Sequence, residues 1–249
     1  MPRQARKKSE SGIYHIMLRG INKQQIFEVD EDCEKFLWVL KDTKEQSGYK
    51  LLAYCLMGNH IHLLIKVEKE PLEQIFKRIG GKFVYWYNIK YQRIGHLFQD
   101  RFKSEPVEDD SYLLTVLRYI HQNPVKAKIC KNVEDYKFSS YREYIGNKWI
   151  VDTDFILDIM SIEQFKVFNS EDNSDKCLEM EDKPFVRLTD EQAKRIIEMS
   201  SGCSNASEFQ QLSECDKEEY LNEFKNKGLS IRQVSRLTGV SFGLVRKFY

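Results

Sequence analysis

Lys50-Leu51-Leu52-Ala53-Tyr54-Cys55-Leu56-Met57-Gly58-Asn59-His60-Ile61-His62-Leu63-Leu64-Ile65-Lys66 is the stretch whose reading decides the fold. It reads as two apolar strands joined at Gly58-Asn59, a two-residue hairpin loop in which both residues tolerate positive φ. Side chains alternate along a strand, so His60 and His62 share one face and Ile61 takes the other. Two imidazoles side by side on a rigid strand make half of a metal site. Taken alone, the pair is also compatible with two partly exposed strand histidines.

Outward from the hairpin, the pattern alternates strands with helices. Ile13 to Arg19 is a strand, followed by a polar loop and a helix from Asp30, as N-cap, to about Gln46. Phe36, Leu37, Leu40 and Thr43 line one side of that helix. After the hairpin, Leu72, Ile75, Phe76, Ile79, Phe83 and Tyr87 repeat at helical spacing from Leu72 to about Tyr91, with Gly80-Gly81 weakening the middle. Lys103 to Glu108 forms an edge strand, because Pro106 argues against a central one. A third helix reads Tyr112 to Gln122 and ends at Asn123, since Pro124 disfavours helical geometry in the residue before it. Residues 125–145 form a short helical return anchored by Tyr136, Phe138 and Tyr141. The order βαββαβ predicts an α+β, ferredoxin-like antiparallel sheet with helices on one face, leaving the other free for chemistry.

Residues 1–145 therefore read as one domain. Residues 146–183 are poorer in apolar pattern and more acidic, and read as a linker with one helix near 154–168. Residues 184–249 read as an all-α region. Within it, Ser230 and Ser241 cap two short helices, Gly239 makes the turn, and Val234, Leu237, Val240 and Val245 supply a core. That is a helix-turn-helix pattern for duplex DNA, with Arg232 and Arg246 as contacts, although an ordinary helical hairpin shares it.

The net charge of +1 conceals an uneven distribution. Residues 77–103 carry seven basic residues against one acidic, and residues 171–183 carry six acidic against two basic. Six cysteines without a C-x-x-C pair read as free thiols of a reducing cytosol. No apolar run approaches the roughly 18 residues a membrane span needs. A cytoplasmic, nucleoid-associated protein is expected.

A nucleophile is sought near the histidines. Tyr119 and Asn123 lie four apart on one helical face, so both can reach one ion beside the histidine strand. Asn123 would add a carbonyl oxygen, and a His, His, Asn set with open positions suits Mg²⁺ or Mn²⁺ bridging to a phosphate. A phenolate beside such a phosphate is a competent nucleophile. Tyr112, seven residues earlier on roughly the same face, is the alternative phenol.

These residues carry a resemblance. Gly-Asn-His60-Ile-His62-Leu-Leu resembles the HUH motif (His, bulky hydrophobe, His). Together with Arg-Gly-Ile-Asn near residue 20, Gly95-His-Leu-Phe-Gln-Asp-Arg-Phe-Lys103 and Leu117-Arg-Tyr119-Ile-His-Gln-Asn123-Pro-Val-Lys-Ala127, it is similar to the IS200/IS605-like single-tyrosine transposases, in particular the REP-associated subgroup. The resemblance covers about residues 10–145. It implies action on single-stranded DNA, often folded as a hairpin, with a divalent metal and a 5′-phosphotyrosine intermediate that leaves a free 3′-hydroxyl. By resemblance His60 and His62 are metal ligands, Tyr119 is the nucleophile and Asn123 is the third ligand. Gly58 stands where relatives commonly have Pro. Relatives include monomers and homodimers in which the tyrosine acts across subunits.

Expected phosphate contacts are Lys82, Lys90, Arg93, Arg101, Lys103 and Arg118, with Arg19 and Asn22 beside the active face. Tyr85, Trp86, Tyr91, His96 and Phe98 are stacking candidates for unpaired bases. Two other functions compete. One is a domesticated, non-catalytic DNA-binding regulator that works through the helix-turn-helix. The other is an RNA-binding sheet, disfavoured because histidines stand where stacking aromatics would be needed.

Overall fold

The computed structural model describes residues 6–146, 148–173, 175–178 and 188–249. The chain divides into two units, one within residues 5–180 and one within 181–249.

In the first unit, β1 (Ile13–Arg19), α1 (Asp30–Ser47), β2 (Lys50–Met57), β3 (His60–Lys66), α2 (Leu72–Lys90), β4 (Lys103–Val107) and α3 (Asp110–Lys126) follow in order. The strands form one sheet, β2-β3-β1-β4, with every neighbouring pair antiparallel. This is the ferredoxin-like arrangement expected. Residues paired across an antiparallel ladder share a face, so the register sorts the sheet. Ile16, Leu18, Leu56, Ile61, Leu63 and Ile65 point one way and are all buried. The apolar stripes of α1 and α2 cover them, and Phe36 meets Phe83 edge-on at 5.0 Å between ring centroids. His15, Met17, Arg19, His60, His62 and Leu64 point the other way. That second face is not left open, because α3 packs on β2 and β3 and covers it. The prediction of helices on one face holds for α1 and α2 only.

The hairpin has the predicted two-residue loop, with Met57 paired to His60. Its conformation differs from the prediction, since neither Gly58 nor Asn59 takes a positive φ. The loop is held from outside. Gly58 O accepts from Ile26 N and Phe27 N at 2.8 and 3.2 Å, and Asn59 O accepts from Gly20 N at 2.9 Å. The nearest atoms that a Cβ at residue 58 would meet belong to the end of the Gln25 side chain, which can move.

α1 begins one residue earlier than predicted, because Val29, not Asp30, is the N-cap. The side chain that closes this end is Asp32. Its carboxylate is buried and accepts from Glu28 N (2.7 Å), Val29 N (3.1 Å), Lys90 Nζ (2.6 Å) and Tyr91 Oη (2.8 Å). Burial alone would raise its pKa, but the hydrogen bonds outweigh burial and hold it below the ordinary 3.8. Removing a buried, fully bonded carboxylate leaves its donors unsatisfied, so Asp32→Ala should destabilise the unit by about 3 kcal/mol in urea unfolding. A carboxylate with a depressed folded pKa contributes above its unfolded pKa and loses that contribution as pH falls through the folded value. Wild type should thus lose the Asp32 contribution below about pH 4, and Asp32→Ala should lack that part of the acid transition.

The segment predicted as an acidic linker is largely part of this unit. Ile150, Val151, Ile156 and Phe165 join its core. Tyr141–Ile145 (α4) ends the predicted helical return, and two short helices, Asp154–Leu157 (α5) and Ile162–Ser170 (α6), replace the single predicted helix of the segment. The expected boundary at 183/184 lies outside the described residues.

The second unit contains α7 (Asp190–Ser201), α8 (Ala206–Gln211), α9 (Glu214–Asn226), α10 (Ile231–Thr238) and α11 (Phe242–Phe248). Ala193, Ile197, Phe209, Leu221, Phe224, Val234 and Val245 form its core. Ser230 and Ser241 cap α10 and α11 by accepting from Gln233 N and Leu244 N, and Gly239 turns the chain at φ +71°. The caps and turn are those read from the sequence; α8 and α9 are not. Arg232 and Arg246 are exposed.

Candidate active site

β3 presents His60 and His62 on the face beneath α3, with ring centroids 5.2 Å apart. β1 lies beside it, and the pairs Met17–His62 and Arg19–His60 set the register. That register places His15 diagonally from His62, where His15 Nε2 and His62 Nδ1 are 3.0 Å apart. Both imidazoles are buried, whereas His60 is half-buried. Burial pushes the His15 imidazole down to about 3. Burial, then the neighbouring His15 and His60, pushes His62 well below the ordinary 6.5. The two buried rings, His15 and His62, lie where the neutral form is favoured, the form that ligates metals.

Asp109 caps α3, accepting from Tyr112 N at 2.8 Å. The Tyr119 ring sits 5.5 Å from His62 and 5.8 Å from His15, edge-on to both, with Lys126 Nζ 5.4 Å from its centroid. One turn on, Asn123 Oδ1 lies 3.4 Å from His60 Nε2. The helix does not stop at Asn123. It runs through Pro124 to Lys126, and Ala127 N still bonds to Asn123 O at 2.9 Å. Pro124 has no N–H to give Ile120 O, so the ladder skips that one bond and is intact again at Ala127 N. The alternative phenol, Tyr112, donates to Glu105 Oε2 at 2.6 Å, and Tyr119 is the one beside the histidines.

The hydrogen bonds fix proton positions. Asn59 Nδ2 donates to Lys23 O at 3.3 Å, which turns its carbonyl oxygen to His60 Nδ1 at 2.7 Å. A neutral His60 therefore donates from Nδ1, and its Nε2 keeps the lone pair. That lone pair faces the Asn123 oxygen, so two acceptors confront each other across 3.4 Å. Such a pair is relieved by a cation between them. No cluster of three His, Cys, Asp or Glu side chains able to hold a metal occurs among the described residues. A cation here would rest on two imidazoles and one amide oxygen, leaving positions for substrate oxygens.

The family model for IS200-like transposases matches residues 8–123, a span that takes in β1, the hairpin and α3 as far as Asn123. Residues 8–123 are thus similar to an IS200-like transposase domain. A candidate REP-associated tyrosine transposase of Haemophilus influenzae is 27% identical over 145 residues, covering 53% of this chain and 81% of that protein. A solved REP-associated tyrosine transposase bound to a REP hairpin superposes with a TM-score of 0.54 at 15% identity, over 73% of this chain and 100% of that one. At that identity the likeness is one of fold. A candidate transposase from Deinococcus radiodurans gives 0.35 at 18% identity, over 53% of this chain and 96% of that one.

Within the matched region the predicted DNA contacts separate. Arg19 and Lys103 lie on the histidine face, Arg19 opposite His60 and Lys103 opposite Met17. Asn22 and Arg101 are exposed. Asn22 and Lys23 have positive φ, in the loop that buttresses the hairpin. Lys82 and Lys90 instead tie α2 to α1 through Asp42 and through Glu31 and Asp32. Arg93 donates to Gln24 at 3.1 Å and stands over the Tyr87 ring. Arg118 is held by Asp175 at 2.8 Å and Glu171 at 3.4 Å, across the Phe168 ring. Of the stacking candidates, Tyr85 and His96 are exposed and Trp86, Tyr91 and Phe98 half-buried. The site residues not anticipated are His15, Asn59 and Glu105. His15 stood in the first predicted strand, and only the strand register brings it to His62. All six cysteines are free thiols, and no helix among the described residues is long and apolar enough to cross a membrane.

Proposed function

We propose that this chain cleaves and rejoins single-stranded DNA as an HUH transposase. In this reading Tyr119 is the nucleophile, and His60, His62 and Asn123 hold Mg²⁺ or Mn²⁺. The observation that carries the reading is the confrontation of His60 Nε2 with Asn123 Oδ1 at 3.4 Å, beside the Tyr119 ring. The Tyr119 oxygen bonds to phosphorus, the bond from phosphorus to the 3′-oxygen breaks, the phenol loses its proton, and the 3′-oxygen takes one up. A 5′-phosphotyrosine and a free 3′-hydroxyl result. When bound, the cation supplies charge neutralisation at the non-bridging oxygens. Arg19 and Lys103, on the same sheet face, are positioned for flanking phosphates.

Tyr119 is only 3% exposed, so a polymer substrate reaches its hydroxyl through a local movement of α3. Hairpin-forming DNA is the proposed substrate, because a solved relative of this fold is a REP-associated transposase bound to a REP hairpin. Arg232 and Arg246, exposed on α10 and α11, are proposed as contacts to duplex DNA. The test is incubation of the full chain with end-labelled hairpin DNA under a metal series. A covalent adduct with Mn²⁺ or Mg²⁺ that disappears with chelator is expected. Adduct yield that ignores chelator would overturn the metal assignment.

A further inference from the structure

His15 belongs to none of the motifs that carry the resemblance, yet it is fully buried and bonded to a candidate metal ligand. A neutral imidazole has one N–H and one lone pair, so one ring of the His15–His62 pair donates and the other accepts. The decision lies on the far side of His15. Its Nδ1 has no hydrogen-bond partner, and Glu105 Oε2 stands 4.0 Å away. That carboxylate is itself held by the Tyr112 hydroxyl at 2.6 Å. An N–H on His15 Nδ1 faces the carboxylate favourably, whereas a lone pair there would face negative charge in a buried setting. The proton therefore sits on Nδ1, and His15 Nε2 is the acceptor.

We infer that His15 is a positioning residue that accepts the Nδ1 proton of His62, so that His62 offers its Nε2 lone pair to the cation. Glu105, anchored by Tyr112, sets the direction of the chain. His60 is treated in parallel, since Asn59 accepts its Nδ1 proton and leaves Nε2 bare. Both imidazoles are thereby locked in the same tautomer by different partners, a polar turn residue for the half-buried ring and a second histidine for the buried one. Ligand histidines owe tautomer and orientation to such partners, and losing the partner weakens metal affinity by about 10–100-fold.

The inference rests on the metal reading of His60, His62 and Asn123, and two measurements on the full chain separate the two. In the ¹⁵N-labelled, metal-free protein, long-range ¹H–¹⁵N spectra should show His62 protonated at Nδ1 and bare at Nε2. The opposite tautomer would overturn the inference, whatever the metal does. Mn²⁺ titration followed by the free-ion electron paramagnetic resonance signal is the second measurement. His15→Phe, which keeps the ring shape but has no acceptor, should bind about 10–100-fold more weakly. His15→Gln, whose amide reaches the Nε2 position, should recover most of that loss. Unchanged affinity in a folded His15→Phe would refute the inference and leave the metal reading standing. A wild type that binds no Mn²⁺ would refute the metal reading, and the tautomer spectrum would then decide the inference.

Discussion

Replacing Tyr119 by Phe should abolish the covalent protein–DNA adduct and lower strand cleavage by on the order of 10³-fold or more, because no second phenol among the described residues stands beside the histidines. The substitution removes one oxygen and keeps the ring, so the edge contacts to His62 and His15 survive. Thermal unfolding should therefore shift little, which separates lost chemistry from lost fold. Tyr112→Phe is the matched control. It breaks the bond that anchors Glu105, which orients His15 toward His62, yet keeps the Tyr119 phenol, so at saturating Mn²⁺ the adduct should still form. Denaturing gels with labelled hairpin DNA and Mn²⁺ read both outcomes. An adduct at wild-type yield in Tyr119→Phe would assign the nucleophile elsewhere.

The features legible in the sequence are those set by local periodicity. Period-two alternation puts His60 and His62 on one face, and period 3.6 puts Tyr119 and Asn123 on another, whatever the rest of the chain does. The features that escaped depend on partners distant in sequence. His15 acquires its role only through the β1–β3 register, 47 residues away. Lys82 and Lys90 look like a DNA surface until Asp42 and Asp32 are found opposite them on α1. The Gly58-Asn59 loop could be located from the dipeptide. Its conformation could not, because backbone groups of residues 20, 26 and 27 hold it. Pro124 was read as a stop, but α3 tolerates it within a turn of its end.

The acidic stretch after residue 145 misled for the same reason, and that error yields the second large effect. Composition suggested a linker, yet Glu143, just before the segment, and Asp152, within it, tie it to the first unit. Glu143 Oε2 accepts from Trp149, Ile150 and Val151 N at 2.7–2.9 Å. Asp152 accepts from Leu51 N at 2.9 Å, and its own N–H bonds to Leu51 O at 2.8 Å, securing β2. Phe165 stacks on Tyr144 and Tyr141 at 4.6 and 5.3 Å and meets His121 edge-on at 5.6 Å. His121, two residues beyond Tyr119, is pinned between Asn169 and Ser140 at 3.0 and 2.8 Å. A chain ended at residue 145 therefore exposes one side of α3 and leaves the buried Glu143 without its three donors. It should show no cooperative unfolding transition, whereas a chain ended at residue 178 should. In the full chain, Phe165→Ala alone should cost about 4 kcal/mol in urea unfolding, the usual loss for a buried aromatic that leaves a cavity. A cooperative transition in the 145-residue chain, at the midpoint of the 178-residue one, would return this segment to the status of a tether.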